Sequence, residues 1–442
     1  MERIFAGGFV VLALVSAVSA QDLPAPVTDA LYADVDIDEA RLGQLLFYDP
    51  ILSGNRNTAC VTCHHPKFGT SDGVSLSLGE GGIGMGPARH VDANNPPEER
   101  IPRNATGLFN LGAKEFSVLF HDGRLEVDAS QPEGIRTPMG GDMMKGFASI
   151  LSAQTMFPVL SRDEMAGSFK ENEVARSVRQ GIITGKGGAW DLLARRVAQI
   201  PEYATDFIDL YPHVTQPDDI AFTDISNAIA AFVAYEWRSD TAPFDAVLRG
   251  DLTLDAQAQS GLELFYGSGG CSACHAGPFL TDHKFHVMAV PQIGPGKSAT
   301  FEDHTRDDGR FRVTGRAQDR YAFRTPSLRN VALTGPYGHA GGHRDLARFV
   351  ADHSDPAQSL ARYDRSQAIL PDFEGEDFII LDAPEQIQSI ANAVIAPPAH
   401  LSAADVADIT AFLHTLTDPI SQTGRLGSPA TVPSGLPVPT VD

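Results

Sequence analysis

Two stretches of five residues have the types and spacing for redox chemistry. They are Cys60-Val61-Thr62-Cys63-His64 and Cys271-Ser272-Ala273-Cys274-His275. Each reads Cys-x-x-Cys-His, the attachment pattern of a c-type haem. Two thiols three positions apart can form thioethers to the two haem vinyls, and the following His offers an imidazole nitrogen to the iron. Together the segments use all four cysteines of the chain. A zinc site built from the four thiols, or a pair of redox dithiols, are the competing readings. Neither accounts for a His after both pairs, and a zinc ribbon brings its Cys pairs closer in sequence. The expected cofactors are therefore two covalently bound haem c groups, held by Cys60, Cys63 and His64 and by Cys271, Cys274 and His275. No cysteine remains for a disulfide, so haem and packing must stabilise the fold.

The elements that must position these segments are helices. Asp36 to Tyr48 carries Leu42, Leu45, Leu46 and Phe47 on an apolar side, and precedes the first pair. Thr253 or Asp255 can cap a second helix bearing Leu262, Leu264 and Phe265 before the second pair. The two align as Leu42-Gly43-Gln44-Leu45-Leu46-Phe47-Tyr48 beside Ser260-Gly261-Leu262-Glu263-Leu264-Phe265-Tyr266. A second echo sets Arg103-Asn104-Ala105 and His121-Asp122-Gly123 beside Arg329-Asn330-Val331 and His339-Ala340-Gly341. This degenerate duplication predicts a mainly α fold of two cytochrome c-like haem domains in tandem, with long loops. A Gly in each leading helix lets another chain segment approach closely. Residues 66–103, rich in Gly, Pro and Asn, read as an extended loop across the first haem. Helical signals dominate from Ser161 to Arg249, where Trp237 reads as core. Residues 281–327 are again loop-like. Leu401 to Leu416 reads as helix, capped by Ser402 and burying Ile409, Phe412, Leu413 and Leu416. Thr417 to Asp442 reads as a flexible tail. The expected division is 21–250, 251–418 and a tail from 419 to 442.

Residues 1–20 have a short charged start, an apolar run and a Val18-Ser19-Ala20 cleavage site, the pattern of a secretory signal peptide. A membrane anchor is the competing reading, against which the run is short and broken by Gly7, Gly8 and Ser16. Export to the periplasm suits c-type haem attachment. No other segment predicts a membrane span. The formal net charge of −22 over 442 residues argues against nucleic-acid or anionic-membrane partners.

The residues also carry a resemblance. Leu42-Gly43 with Phe47-Tyr48-Asp49-Pro50, Arg103-Asn104-Ala105, Phe120-His121-Asp122-Gly123-Arg124, the run from Gln154 to Met165, Gly309-Arg310-Phe311 and Leu328-Arg329-Asn330-Val331-Ala332-Leu333-Thr334 with Pro336-Tyr337, together with both haem motifs, resemble the bacterial di-haem cytochrome c peroxidase family, which includes the methylamine-utilisation protein MauG. It spans roughly residues 36–418. The resemblance implies that the N-terminal haem meets hydrogen peroxide and the C-terminal haem relays or stores oxidising equivalents. It implies Glu164 as acid–base and Gln154 as a positioning group, since Gln154, Pro158, Glu164 and Met165 keep the family's spacing. It implies Tyr321 as an iron ligand of the C-terminal haem, the position of Met in the peroxidases and of Tyr in MauG. If Tyr321 merely packs, Met288 or a His must serve. His90 and His65 do not match the family's removable ligand of the first haem, whose sixth position is expected to be open. His121 stands where the family has Trp between the haems. Asn104 stands at a family calcium position, making Ca²⁺ an expected ion.

Three functions follow as expectations. The first is MauG-like oxidation of a protein substrate, such as a quinoprotein precursor. The second is reduction of peroxide with electrons from a small cytochrome or copper protein. The third is a non-catalytic electron carrier or haem sensor.

Overall fold

A computed structural model describes residues 23–131, 133–298, 302 and 304–441. The expected signal peptide lies outside these residues. The secondary structure is helical with very little sheet. In the first half the helices are α1 (Ile37–Tyr48), α2 (Cys60–Cys63), α3 (Ile150–Thr155), α4 (Glu173–Arg179), α5 (Ala189–Ala198), α6 (Pro201–Leu210), α7 (Phe222–Glu236) and α8 (Pro243–Arg249). The second half carries α9 (Ala256–Tyr266), α10 (Phe311–Thr314), α11 (Leu346–His353), α12 (Pro356–Ala361), α13 (Pro384–Asn392) and α14 (Ala403–His414). The strands among the described residues are two or three residues long. One pairs Phe285–His286 with Phe323–Arg324, at the foot of the second half's long loop.

The helix ends follow from capping chemistry. Asp36 accepts from the backbone N–H groups of Asp38 and Glu39 at the start of α1. Asp255, not Thr253, caps α9 by accepting from Ala258. Ser402 caps α14 by accepting from Asp405. Each cap satisfies donors that the first turn cannot pair internally.

The duplication reappears as packing. Helix α1 lies on α7, and α9 lies on α14. At the two aligned glycines the helices touch backbone to backbone. A Cβ on Gly43 would sit 1.8 Å from the Ala228 carbonyl oxygen, and one on Gly261 would sit 1.9 Å from that of Asp408. We therefore expect Gly43→Ala and Gly261→Ala each to destabilise by roughly 1–3 kcal/mol through overpacking, despite the roughly 1 kcal/mol by which Ala outranks Gly in a helix. A fall in the urea midpoint checks this, and an unmoved midpoint would refute the contact.

The largest apolar core gathers α1, α3, α5, α6 and α7 around Trp190, Trp237, Phe47 and Phe232. Trp237 is core as expected, in edge contact with Phe47 at 5.1 Å and with Phe232 at 5.1 Å between ring centres. A second core, around Phe244, Phe265, Phe412 and Leu416, lies under α9 and α14. A third joins Leu76 of the first half to Val287, Tyr321, Leu360 and Ile390 of the second.

The expectation of a flexible tail is corrected. Residues 418–441 form a strap laid back over the first half. Buried Glu236 accepts the backbone N–H groups of Arg425, Leu426 and Gly427 at 2.9, 2.6 and 2.9 Å. Gln44 donates to the Gly427 carbonyl at 2.7 Å, and Ser434 donates to Asp49 at 2.7 Å. Asp418, fully buried, accepts from the N–H groups of Asp240 and Thr241. Composition misled here because backbone donors gathered by one distant carboxylate leave no periodic signature.

Candidate functional site

Both Cys-x-x-Cys-His segments adopt one tight turn. Cys60–Cys63 is a single helical turn, with buried Val61 anchoring it beneath α1, and Cys271–Ala273 is a 3₁₀ turn. One turn brings residues three apart onto one face, where a pair of thiols can meet the same ring. The following histidines are oriented alike. His64 Nδ1 lies 2.9 Å from the Thr70 carbonyl oxygen, and His275 Nδ1 lies 3.2 Å from that of Leu280. A carbonyl only accepts, so each Nδ1 carries the proton and each Nε2 keeps its lone pair for a metal. Burial holds both imidazoles below their ordinary pKa, in the neutral form that ligation requires.

The competing readings fit poorly. Burial, with Cys63 adding to it, pushes the Cys60 thiol up to about 12. Burial and then Asp72 push Cys63 up to about 12. Redox dithiols carry depressed, not raised, thiol pKa values. Among the described residues no cluster unites the two Cys pairs. The one group of three metal-type donors is Cys274, Asp282 and His286, within 4.8 Å of one another, and it uses a thiol that haem attachment would consume. The residues thus suit haem at both segments, which define a two-centre redox protein.

The loop that follows the first centre is ordered. It carries one two-residue hairpin, Gly82–Ile83 against His90–Val91. Arg89 sits inside it and donates to the carbonyls of Leu78 and Gly79. His90 is exposed, its Nδ1 near the Ala88 carbonyl. His65 accepts from the Lys67 N–H.

Glu164 lies in a single π turn, Arg162–Ala166. Such wide turns recur at functional sites. Its charge reaches the Cys63 thiol, which ties it to the first centre. Among the described residues its carboxylate makes no hydrogen bond or ion pair. Burial raises its pKa, while Lys297 and Arg124 oppose the rise. Gln154, on α3, keeps a buried Oε1 with no partner. Lys297 went unnoticed in the sequence, as a lone cation in a Gly-Pro-Gly turn of the second half. Burial, then Arg124 and Arg103, lower it to about 8.

Between the two halves lies a buried charged junction. Arg103 Nε and Nη2 donate to Asp307 at 2.7 and 2.9 Å, and Nη1 lies 2.8 Å from Asp122. His121 sits in this junction, with Nε2 3.2 Å from the Asn104 carbonyl. Burial first, then Arg103, press its pKa down to about 3. His339, its counterpart in the duplication, is close enough for its charge to reach His121. The His339 ring stacks on Phe323 at 3.8 Å, and neither of its nitrogens has a partner.

Asn104 and Tyr321 both make hydrogen bonds within the protein. Asn104 uses its amide nitrogen, donating to the carbonyls of Val74 and Ser75 at 2.9 and 3.3 Å. As oriented it presents a donor where calcium needs an oxygen. Tyr321, at φ 64°, donates or accepts a hydrogen bond with Ser389 of α13 at 3.0 Å, inside the third core. Met288 instead lines a cleft in the second half together with His343 and His353.

Residues 38–253 match the profile of the di-haem cytochrome c peroxidases. The chain is 31% identical over 330 residues to cytochrome c551 peroxidase of Pseudomonas aeruginosa, covering 74% of this chain and 75% of that protein. It is 29% identical over 321 residues to methylamine utilization protein MauG of Methylorubrum extorquens, covering 72% and 68%. Its fold is shared with the crystal structure of the di-haem peroxidase BthA from Burkholderia thailandensis, at 21% identity and a TM-score of 0.59, covering 90% of each chain. The chain belongs to the di-haem cytochrome c peroxidase family. It is a di-haem oxidoreductase, and among the described residues no helix is long and apolar enough to cross a membrane.

Proposed function

We propose that this chain is an exported, periplasmic enzyme carrying two covalent haem c groups, which reduces hydrogen peroxide at the N-terminal centre with electrons from a small redox protein. The observation that carries the reading is Glu164: a half-buried, unpartnered carboxylate whose charge reaches the first Cys-x-x-Cys-His segment. A carrier or sensor has no use for such a group. When bound, the haem supplies the iron that takes peroxide and the electrons that break its O–O bond. The chain moves the proton. A Glu164 carboxylate oxygen would take it from one peroxide oxygen and return it to the other, which would leave as water. Gln154, its Oε1 free, can hold the peroxide by accepting a hydrogen bond. Arg124 and Lys297 favour the ionised, proton-accepting form of Glu164. His121, neutral at the junction, stands between the halves where electrons must pass. Calcium has no support from the orientation of Asn104.

The MauG-type alternative leaned on Tyr321 as an iron ligand. The hydrogen bond between the Tyr321 hydroxyl and Ser389 supports peroxide reduction as the preferred reading. The cofactor content is tested first. Acid–acetone treatment is expected to leave the pigment on the protein, with two irons per chain. Turnover with peroxide is then measured against reduced cytochrome and reduced copper protein. Extractable haem, a single iron, or peroxide consumed only with oxidation of a protein side chain would sink the proposal.

A further inference from the structure

We propose that Asn55 and Asn172 are positioning residues that fix Glu164 at the first centre. The inference rests on the reading of Glu164 as the group that moves the proton, and adds what holds that group in place. Glu164 lies in the π turn Arg162–Ala166. Such turns are rare and short, and their wide rings leave the backbone dependent on its surroundings. Here the Ser161 carbonyl takes the N–H groups of both Met165 and Ala166, at 3.0 and 2.8 Å, and the Arg162 carbonyl takes that of Gly167 at 3.1 Å. Three carbonyls of the turn are held from outside. The Glu80 N–H donates to Asp163 at 3.0 Å, the Gly54 N–H to Met165 at 2.7 Å, and the Asn172 side-chain amide to Ala166 at 2.9 Å.

The segments that grip the turn flank the first haem motif. Ser53-Gly54-Asn55 precedes Cys60, and Leu78-Gly79-Glu80 follows His64. Both reach the turn through a glycine. A Cβ on Gly54 would lie 1.9 Å from the Ala166 carbonyl oxygen, and one on Gly79 would lie 2.2 Å from that of Asp163 and 2.9 Å from the Glu164 Cα. Side chains then tie the two segments together. Asn55 Nδ2 donates to Glu80 at 2.8 Å and to Glu171 at 2.5 Å, while its Oδ1 accepts from Asn172 Nδ2 at 2.8 Å. Glu171 also accepts the Ser168 N–H at 3.0 Å, just past the turn. Asn172 Oδ1 caps α4 by accepting from Ala175 at 2.8 Å. Each amide thus uses both of its ends, and the bonds to carboxylates are of the stronger, charge-assisted kind. The Asn55 amide bridges Glu80 and Glu171, so these acids are joined by a donor and need no cation between them. Among the described residues the Glu164 carboxylate bonds to neither amide, so both act through the backbone that carries it.

The test uses the full chain with its haems, counted first by the pyridine haemochrome method, and stopped-flow mixing with peroxide. Asn172→Ser keeps a good cap for α4 and loses the amide that reaches Ala166 and Asn55. Its reaction with peroxide should slow by roughly 10–10²-fold, the upper figure being what a misplacement of about 1 Å can cost. Haem content and the resting spectrum should stay those of wild type. Should Asn172→Ser fail to load haem, Asn55→Ala, which leaves the α4 cap untouched, carries the same expectation. A double-mutant cycle separates positioning from a merely structural role. With Glu164 already replaced by Gln, adding Asn172→Ser should slow the reaction by less than about threefold more, because the amide acts only through that carboxylate. A single variant close to the wild-type rate, or a double variant that loses the full Asn172 factor again, would overturn the inference while leaving Glu164 in its role. Failure of both single variants to load haem would overturn it too, since the amides would then hold the fold and not one side chain. A Glu164→Gln rate equal to wild type would overturn both the inference and the reading beneath it.

Discussion

Glu164→Gln slows the reaction with hydrogen peroxide by about 10²–10⁴-fold, the usual worth of general acid–base catalysis. The substitution keeps the size of the side chain and removes its ability to take a proton. Because the role proposed for Glu164 is proton transfer and not ligation, the resting optical spectrum should be unchanged. The pH profile adds a readout that a structural role would not move. Burial raises the Glu164 pKa, with Lys297 and Arg124 only partly offsetting it. The ionised form is the base, so kcat/KM should fall as pH drops through a value above the ordinary glutamate pKa of about 4.3. In Glu164→Gln that acid limb should vanish. Stopped-flow mixing with peroxide across pH measures both quantities. A rate within a factor of three of wild type would remove Glu164 from the mechanism.

Asp307→Asn costs roughly 3–5 kcal/mol of stability, the penalty for leaving one member of a buried ion pair uncompensated. The lower end is the better figure, since Asp122 still faces Arg103 at 2.8 Å. Asp307 is 3% exposed and receives two guanidinium hydrogen bonds, plus the N–H of Gly309 at 2.9 Å. Burial alone would raise its pKa, but Arg103 outweighs burial and holds the carboxyl far below the usual range. The sign follows from that depression. The pair's contribution is present above the unfolded Asp pKa of about 3.9 and is lost as pH falls through the lower folded value. Wild-type stability should therefore drop steeply below about pH 4, and Asp307→Asn should flatten that drop. Denaturant titrations at a series of pH values check this, and parallel acid limbs in the two proteins would refute it.

What the sequence discloses is what lies close together along the chain. Five contiguous residues make each haem-binding turn, and a glycine one helix upstream marks each helix crossing, so both were legible without neighbours. Glu164 was one acid among 56 until its spacing from Gln154 and Pro158 carried a resemblance. Lys297 crosses from one half to the other through a loop with no periodicity at all. Tyr321 precedes Leu328-Arg329-Asn330 as alignment places it, and in the fold it has a positive φ and a hydrogen bond with Ser389 in the third core. His121 and His339 were seen as sequence echoes, and the fold makes them neighbours.

The strap over the first half has a kinetic meaning. Its Ser434–Asp49 hydrogen bond joins residues 385 positions apart. Loop-closure entropy grows as about 1.5RT ln n, so this contact is among the costliest to form from an open chain. It becomes affordable only when α1, α7 and the second half have already shortened the path between its two sides. The turn that carries Cys60 and Cys63 closes its backbone within four residues, as the His64 N–H donates to the Cys60 carbonyl, at the opposite extreme of contact order. By this argument the strap is expected to fasten after the half it covers has folded.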